Sequence, residues 1–261
     1  MKIDYKRRLL NICLHADSLW ALSKKELTMK YRGTKLGLWW ALILPLLLAL
    51  SINLIFTKAF KVSIPNYTMF ILSAILPWIF FSQGLSEATN SFPANAAILK
   101  QGVFPREIIP FSSVFGNFLN FVLGLTVIMP LFILLNHKVV FLIPMLALLL
   151  LSFSIFVCGL GLIFSSMNMF YKDVSCFLSF GLTVWFWITP VFYSRDMVPY
   201  PYSIINLINP LTLFISNFRD ILFYGKVDIY AFFGGILVSL AFFLGGYYFF
   251  LIKERELLKR L

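Results

Sequence analysis

KKELTMKYRGTKLGLWW, residues 24–40, is where this chain changes solvent. Lys24, Lys25, Lys30, Arg32 and Lys35 crowd together, and from Leu38 no charge follows until Lys58. Cations that abruptly meet hydrocarbon mark the cytoplasmic mouth of a membrane segment. Upstream, Ala16, Leu19, Trp20, Leu27 and Tyr31 fall near one side of a helical wheel, while Asp17, Lys24, Lys25, Thr28 and Arg32 spread over the other. That pattern predicts a helix lying in the interface plane.

The chain as a whole is strongly apolar. Hydrophobic residues make up 60% and charged residues 13%, where a soluble domain has about half and about a quarter. The reading is an all-α integral membrane protein with one membrane domain. No signal peptide is expected, since MKIDYKRRLL is basic and no small-residue cleavage site follows it; the first membrane helix then serves as its own insertion signal. The formal charge of +11 is carried at the ends of hydrophobic segments, which fits anionic lipid headgroups and not nucleic acid. Cys13, Cys158 and Cys176 are too scattered for a metal knuckle or disulfide framework and read as packing residues.

A crossing takes about 20 apolar residues, and six segments qualify: 38–57, 67–91, 108–135, 139–167, 175–193 and 229–251. In the second, Gln83, Glu87 and Asn90 must face protein or water instead of lipid. The stretch 198–224 is broken by Pro199, Pro201 and Asn209-Pro210 into pieces too short to span. It reads as two short helices re-entering from the external side, whose irregular backbone points to a pathway. Six crossings leave the basic N-terminus, Lys100, Arg106, Lys172 and the basic tail on the cytoplasmic side, in keeping with the positive-inside bias. The division is a cytoplasmic N-terminus over 1–36, a transmembrane domain over 37–252 and a cytoplasmic tail over 253–261.

Catalytic chemistry is not evident. His15 and His137 fall on opposite sides of the membrane, no paired-carboxylate motif is present, and no GxxxxGK[ST] phosphate loop occurs. If the chain moves something uphill, its motor is another polypeptide. The cytoplasmic stretch PANAAILKQGVFPREIIP holds a helix-compatible core of Ala94, Asn95, Ala96, Ala97, Ile98, Leu99, Lys100 and Gln101, closed by Gly102 and Pro105. It reads equally as a handle for a partner domain or as an ordinary amphipathic loop. The loop bearing Lys172 and Asp173 is by itself a weak signal.

Two features bear on a cargo. Aromatics are 18% of residues, mostly lipid-facing or belt residues; rings such as Trp39, Trp78, Phe80, Phe81, Trp185 and Trp187, if turned inward, would make a slippery lining for a glycan. Lys30, Arg32 and Lys35, beside Leu36-Gly37, serve equally to bind bulk anionic lipid or to hold one anionic head such as a pyrophosphate, with Gly37 allowing backbone approach.

Several stretches, in order along the chain, resemble the membrane subunit of polysaccharide-exporting ABC transporters, and within that group the O-antigen exporters. They are KYRGTKLGLWW (30–40), IPNYTMFILSAILPWIFF (64–81), VFPREIIP (103–110), FYKDV (170–174), TPVFYSRDMVP (189–199) and NPL (209–211) followed by Arg219-Asp220. The resemblance implies a homodimer in the bacterial inner membrane with both termini cytoplasmic, bound to two copies of an ATPase subunit that supplies ATP and Mg; this chain itself would hold no cofactor. It implies that Leu19 to Arg32 and Leu36-Gly37 frame the entrance for an undecaprenyl-pyrophosphate-linked polysaccharide, and it favours Lys30, Arg32, Lys35, Leu36 and Gly37 as the residues that capture its head. It further implies that residues 94–101, within a loop over 93–107, form the helix that couples to the ATPase. Lys172 and Asp173 correspond to a charged pair between crossings four and five. Residues 198–224, with Asn209, Pro210, Arg219 and Asp220, correspond to an external gate. An exporter of capsule, teichoic acid, a drug or a simple lipid would use the same architecture, and a membrane-embedded lipid-processing enzyme is the reading from a different class.

Overall fold

A computed structural model describes residues 14–61, 63–101 and 105–258. The described residues form helices and turns throughout. Helix α1, Ala16–Tyr31, leads through a 3₁₀ turn at Gly37–Trp39 into α2, Trp40–Lys58. Then come α3, Tyr67–Ala94, the six-residue α4, Ala96–Gln101, and α5, Ile108–Leu135. A 3₁₀ segment at His137–Leu142 precedes α6, Ile143–Phe170, and α7 is Asp173–Ile188. After the short α8, Ile204–Ile208, and α9, Pro210–Arg219, a π turn at Asp220–Tyr224 leads to the last helix, α10, Ile229–Leu258.

Five described stretches are long and apolar enough to cross a membrane: Gly37–Lys58, Tyr67–Ala94, Ile108–Leu135, His137–Phe170 and Ile229–Glu254. The chain is therefore a multi-pass, all-α membrane protein. The segment expected over 175–193 departs from this pattern, because α7 has only 16 residues, a rise of ~24 Å against a hydrocarbon core of ~30 Å. The cause is local. Pro190 forces Thr189 into extended backbone with ψ 137°, and the carbonyls that follow are taken by side chains of other helices. Tyr67 of α3 donates to the Phe192 oxygen at 2.5 Å, and Arg219 of α9 donates to Val191 at 2.6 Å and Tyr193 at 3.2 Å.

The stretch 198–224 holds two short helices, α8 of 5 residues and α9 of 10, parted at Asn209. Pro210 occupies the first turn of α9, where its missing N–H costs nothing. Asn209 caps that helix by accepting from the Leu211 N–H at 3.0 Å, and also accepts from Trp185 Nε1 at 2.8 Å.

Helix α3 is the hub. Of its most apolar window 72% is buried inside the subunit, against 11% for the window of Gly37–Lys58. Around it Phe80, Phe81, Phe153, Phe156, Phe214 and Phe218 interlock, with ring centroids 4.8 Å apart for Phe153 and Phe214 and 5.1 Å for Phe156 and Phe214. In lipid no hydrophobic force joins helices, so such close dispersion contact carries the packing. The same principle explains α6 against α10. Gly159 and Gly246 meet backbone to backbone, and a Cβ added at Gly159 would stand 2.5 Å from the Phe242 carbonyl oxygen.

Helix α1 docks on the beginning of α5, and its docked face differs from the expected apolar stripe. Trp20 is half exposed, touching Phe115 with ring centroids 6.1 Å apart. The fully buried residue is Ser23, whose hydroxyl reaches the carbonyl oxygens of Leu19 at 2.8 Å and Ser112 at 3.0 Å. A polar face is favoured because the surface it meets is itself polar.

Candidate functional site

Lys30, on the last turn of α1, sits among acceptors from two membrane helices. Its Nζ donates to Gln83 Oε1 at 2.7 Å and Glu87 Oε1 at 3.1 Å, both on α3, and to Asn117 Oδ1 at 2.9 Å on α5. An ammonium has three protons, so the three partners satisfy it. Asn117 Nδ2 in turn donates to the other oxygen of Glu87. Of the three polar residues expected to avoid lipid in the later half of α3, Gln83 and Glu87 thus face Lys30, while Asn90 donates to the Ser86 carbonyl at 2.9 Å and accepts from Asn168 at 3.3 Å. Tyr31 extends the cluster by donating to Asn120 Oδ1 at 2.6 Å. One turn earlier, Glu26 Oε1 accepts from the Ser113 hydroxyl at 2.9 Å, while Oε2 is buried without a partner. Burial, reinforced by the nearby Glu87 charge, pushes the Glu26 carboxyl up to about 7.

A cavity of about 390 Å³ opens beside this cluster. Lys30, Tyr31, Gln83 and Asn120 form its polar side, and Trp40, Ala41, Leu44, Pro45 and Ile79 its apolar wall. At the rim the chain turns through residues 33–37. Thr34 Oγ1 donates to the Tyr31 carbonyl at 2.8 Å and accepts from the Gly37 N–H at 3.1 Å. Gly37 holds φ +52°, left-handed backbone that costs glycine little. Arg32, Lys35 and Leu36 are exposed on this turn. The arrangement combines exposed cations on the turn, an apolar wall in the cavity and a saturated lysine between them.

The short helix α4 follows α3 after a break at Asn95, whose amide donates to the Ser91 carbonyl at 3.0 Å. Ala94 and Ala97 are exposed, Asn95, Ala96 and Ile98 half-buried, and Leu99 is buried with Phe92, Ile109, Phe111, Leu162, Tyr247, Phe250 and Leu251. The expected helix is thus present from Ala96 onward; Gly102, which was to close it, lies outside the described residues. Beyond it Arg106 pairs with Glu254 at 2.9 Å, tying the loop to the end of α10.

The remaining expected residues scatter. Trp39 and Trp187 are exposed, Trp185 is half-buried on Asn209, and Trp78, Phe80 and Phe81 lie in the aromatic core. Lys172 and Asp173 are exposed at the start of α7. At the other end of the bundle Arg219 is 4% exposed, its guanidinium 3.8 Å from the Phe70 ring centroid, and Asp220 faces Lys226 at 3.7 Å.

The model of the family described as ABC-2 type transporter matches residues 17–223. This chain belongs to the ABC-2 type transporter family. Two Klebsiella pneumoniae proteins named O-antigen export system permease protein RfbA are 35% and 34% identical to it over 216 residues, 81% of this chain and 82% of theirs. A Myxococcus xanthus protein of the same name is 30% identical over 214 residues, 78% of this chain and 79% of its own. The ABC-2 match begins in α1 and ends in the π turn after α9, so the Lys30 cluster, α4 and the Arg219 region all fall within it. Among the described residues of this ABC-2 chain, no group of three or more His, Cys, Asp or Glu side chains stands where it would hold a metal.

Ser23, Glu26, Asn117 and Asn120 were missed by the sequence reading. Leu19, Ser23, Glu26 and Lys30 recur at helical spacing, four, three and four residues apart, and that was the available signal. It is easily passed over, because polar residues at that spacing ordinarily describe a solvated face.

Proposed function

We propose that this chain is the membrane subunit of an exporter that carries undecaprenyl-pyrophosphate-linked polysaccharide, of the O-antigen type, across the bacterial inner membrane. Two copies would assemble with two copies of a separate ATPase subunit. The observation that carries this reading is the cavity between α1, α2 and α3, apolar on one side and polar on the other, with exposed Arg32 and Lys35 flanking Thr34 of its lining in the sequence. A lipid-linked anionic head needs that combination, a hydrocarbon surface for the chain and donors for the phosphates. The identity with proteins named for O-antigen export supports the choice of cargo.

In this reading Arg32 and Lys35 meet the pyrophosphate, Lys30 stands on the cavity's polar side, and Leu36-Gly37 shapes the rim. The face of α4 docks on the ATPase, and Leu99 passes its displacement to the cluster shared by α5, α6 and α10. With α7 continued by residues 189–193 as a sixth crossing, both termini are cytoplasmic and α8 and α9 close the external end. Exposed Trp39 and Trp187 line the path between copies, with Trp78, Phe80, Phe81 and Trp185 supporting the wall behind them. The test is Arg32→Ala with Lys35→Ala in a strain lacking the native gene. Assembly with the ATPase should persist while surface polysaccharide disappears and lipid-linked glycan accumulates inside. Normal surface glycan would remove both residues from headgroup capture, and drug sensitivity alone on gene deletion would replace the polysaccharide by a smaller cargo.

A further inference from the structure

A second cavity, of about 420 Å³, lies at the other end of α3 from Lys30. Arg219 in its wall rests on Phe70, whereas Lys30 bonds Glu87 on the same helix, a separation along α3 of ~25 Å. Residues 194–196, the end of α9, the π turn and residues 226–228 before α10 line it.

The chemistry of the wall narrows the ligand. Three cations, Arg195, Arg219 and Lys226, face three acids, Asp196, Asp220 and Asp228, so no net charge selects an anion. Nor does the acid set select a metal, because no such cluster stands close enough among the described residues. Several of these groups are already committed. Asp228 accepts from the N–H groups of Tyr230 and Ala231, and the terminal nitrogens of Arg219 donate to backbone carbonyls. Others are not committed. Arg219 Nε and the Ser216 hydroxyl are buried without a hydrogen-bond partner, on residues 4% and 8% exposed. Buried polar atoms are ordinarily satisfied, and Ser216 forgoes the bond to a preceding carbonyl that Ser23 makes. Exposed Arg195 and Asp196 add a donor and an acceptor, and Tyr224, 44% exposed, adds a ring over which Lys226 Nζ stands 5.1 Å from the centroid, leaving the opposite face for contact.

Closely set donors and acceptors, no net charge and an aromatic face match a neutral polyhydroxylated ligand, whose C–H surface covers a ring while vicinal hydroxyls bridge carboxylate and guanidinium. We propose that this cavity is a saccharide-binding site that takes a neutral sugar unit. It rests on the polysaccharide reading only for the source of that sugar.

The experiment uses the full chain in lipid nanodiscs and saturation-transfer NMR with the methyl glycosides of glucose, galactose, mannose and N-acetylglucosamine. At least one glycoside should receive saturation, and inorganic phosphate should not displace it. Ser216→Ala, and separately Arg195→Gln with Asp196→Asn, should weaken binding about fivefold, as one lost hydrogen bond does. The second pair lies on exposed residues, so it leaves the fold intact. No transfer to any glycoside, equal transfer in both variants, or displacement by phosphate would overturn the site. Glycoside binding that persists in the Arg32 and Lys35 variants, with export unchanged, would count against headgroup capture and leave this site standing.

Discussion

Glu26 is the side chain whose surroundings make the sharpest demand. Its carboxyl is raised from 4.5 to about 7, chiefly by burial, with Glu87 adding to the shift and Ser113, Lys25 and Lys30 opposing it. The folded state therefore holds the proton more tightly than the unfolded chain does, and stability falls as pH rises. The fall begins near 4.5 and levels off above about 7. Glu26→Gln is neutral throughout, so its melting temperature should match wild type near pH 4.5 and pull ahead of it up to about pH 7. Parallel pH profiles would show that this acid is not titrating in place. Neither Glu26 nor Ser23 was legible as a docking residue beforehand. A helical wheel weighs one helix against water or lipid, and the partner's polar face, with Ser112, Ser113 and Asn117, is invisible to it.

Helices were legible where hydrocarbon dictates them and blurred where a partner does. The runs expected over 38–57, 67–91 and 108–135 correspond to Trp40–Lys58, Tyr67–Ala94 and Ile108–Leu135, because long apolar segments, with Glu87 their one charge, admit little else in a bilayer. The fourth run, expected over 139–167, lies within the stretch His137–Phe170, and its first residues, His137–Leu142, are 3₁₀ instead of α, where Asn136 accepts from the Lys138 N–H at 3.1 Å. The fifth ends early, since Tyr67 and Arg219 claim the carbonyls past Pro190, a tertiary contact that no hydropathy window records. The tight seam between α6 and α10 offers a test on this scale. Gly246→Leu places a side chain against the Gly159 carbonyl, and the backbones must part. Overpacking of this kind costs about 1–3 kcal/mol, so the variant should melt lower and lose its sharp size-exclusion peak, while Gly245→Ala, which meets open space, should match wild type. Equal melting would mean the helices already stand further apart.

The subunit as a whole presents large apolar surfaces on its outer helices. Leu44, Leu47, Leu50 and Leu54 on α2 are each at least half exposed, as are Phe177, Phe180 and Trp187 on α7. The proposed homodimer, with its second copy seated across these faces, predicts that Phe177→Cys, in a chain whose own cysteines are replaced by alanine, forms an oxidised dimer in membranes. Leu237→Cys, exposed on α10, should remain monomeric; the reverse result would move the interface to the last helix. The same distribution of burial bears on motion. Because within one copy α2 is scarcely held and α3 is gripped on most sides, tilting the first disturbs few contacts inside that copy, while shifting the second unpicks the aromatic centre. Room for a bulky cargo is then made most cheaply at the periphery, as a door swings on a post that does not move.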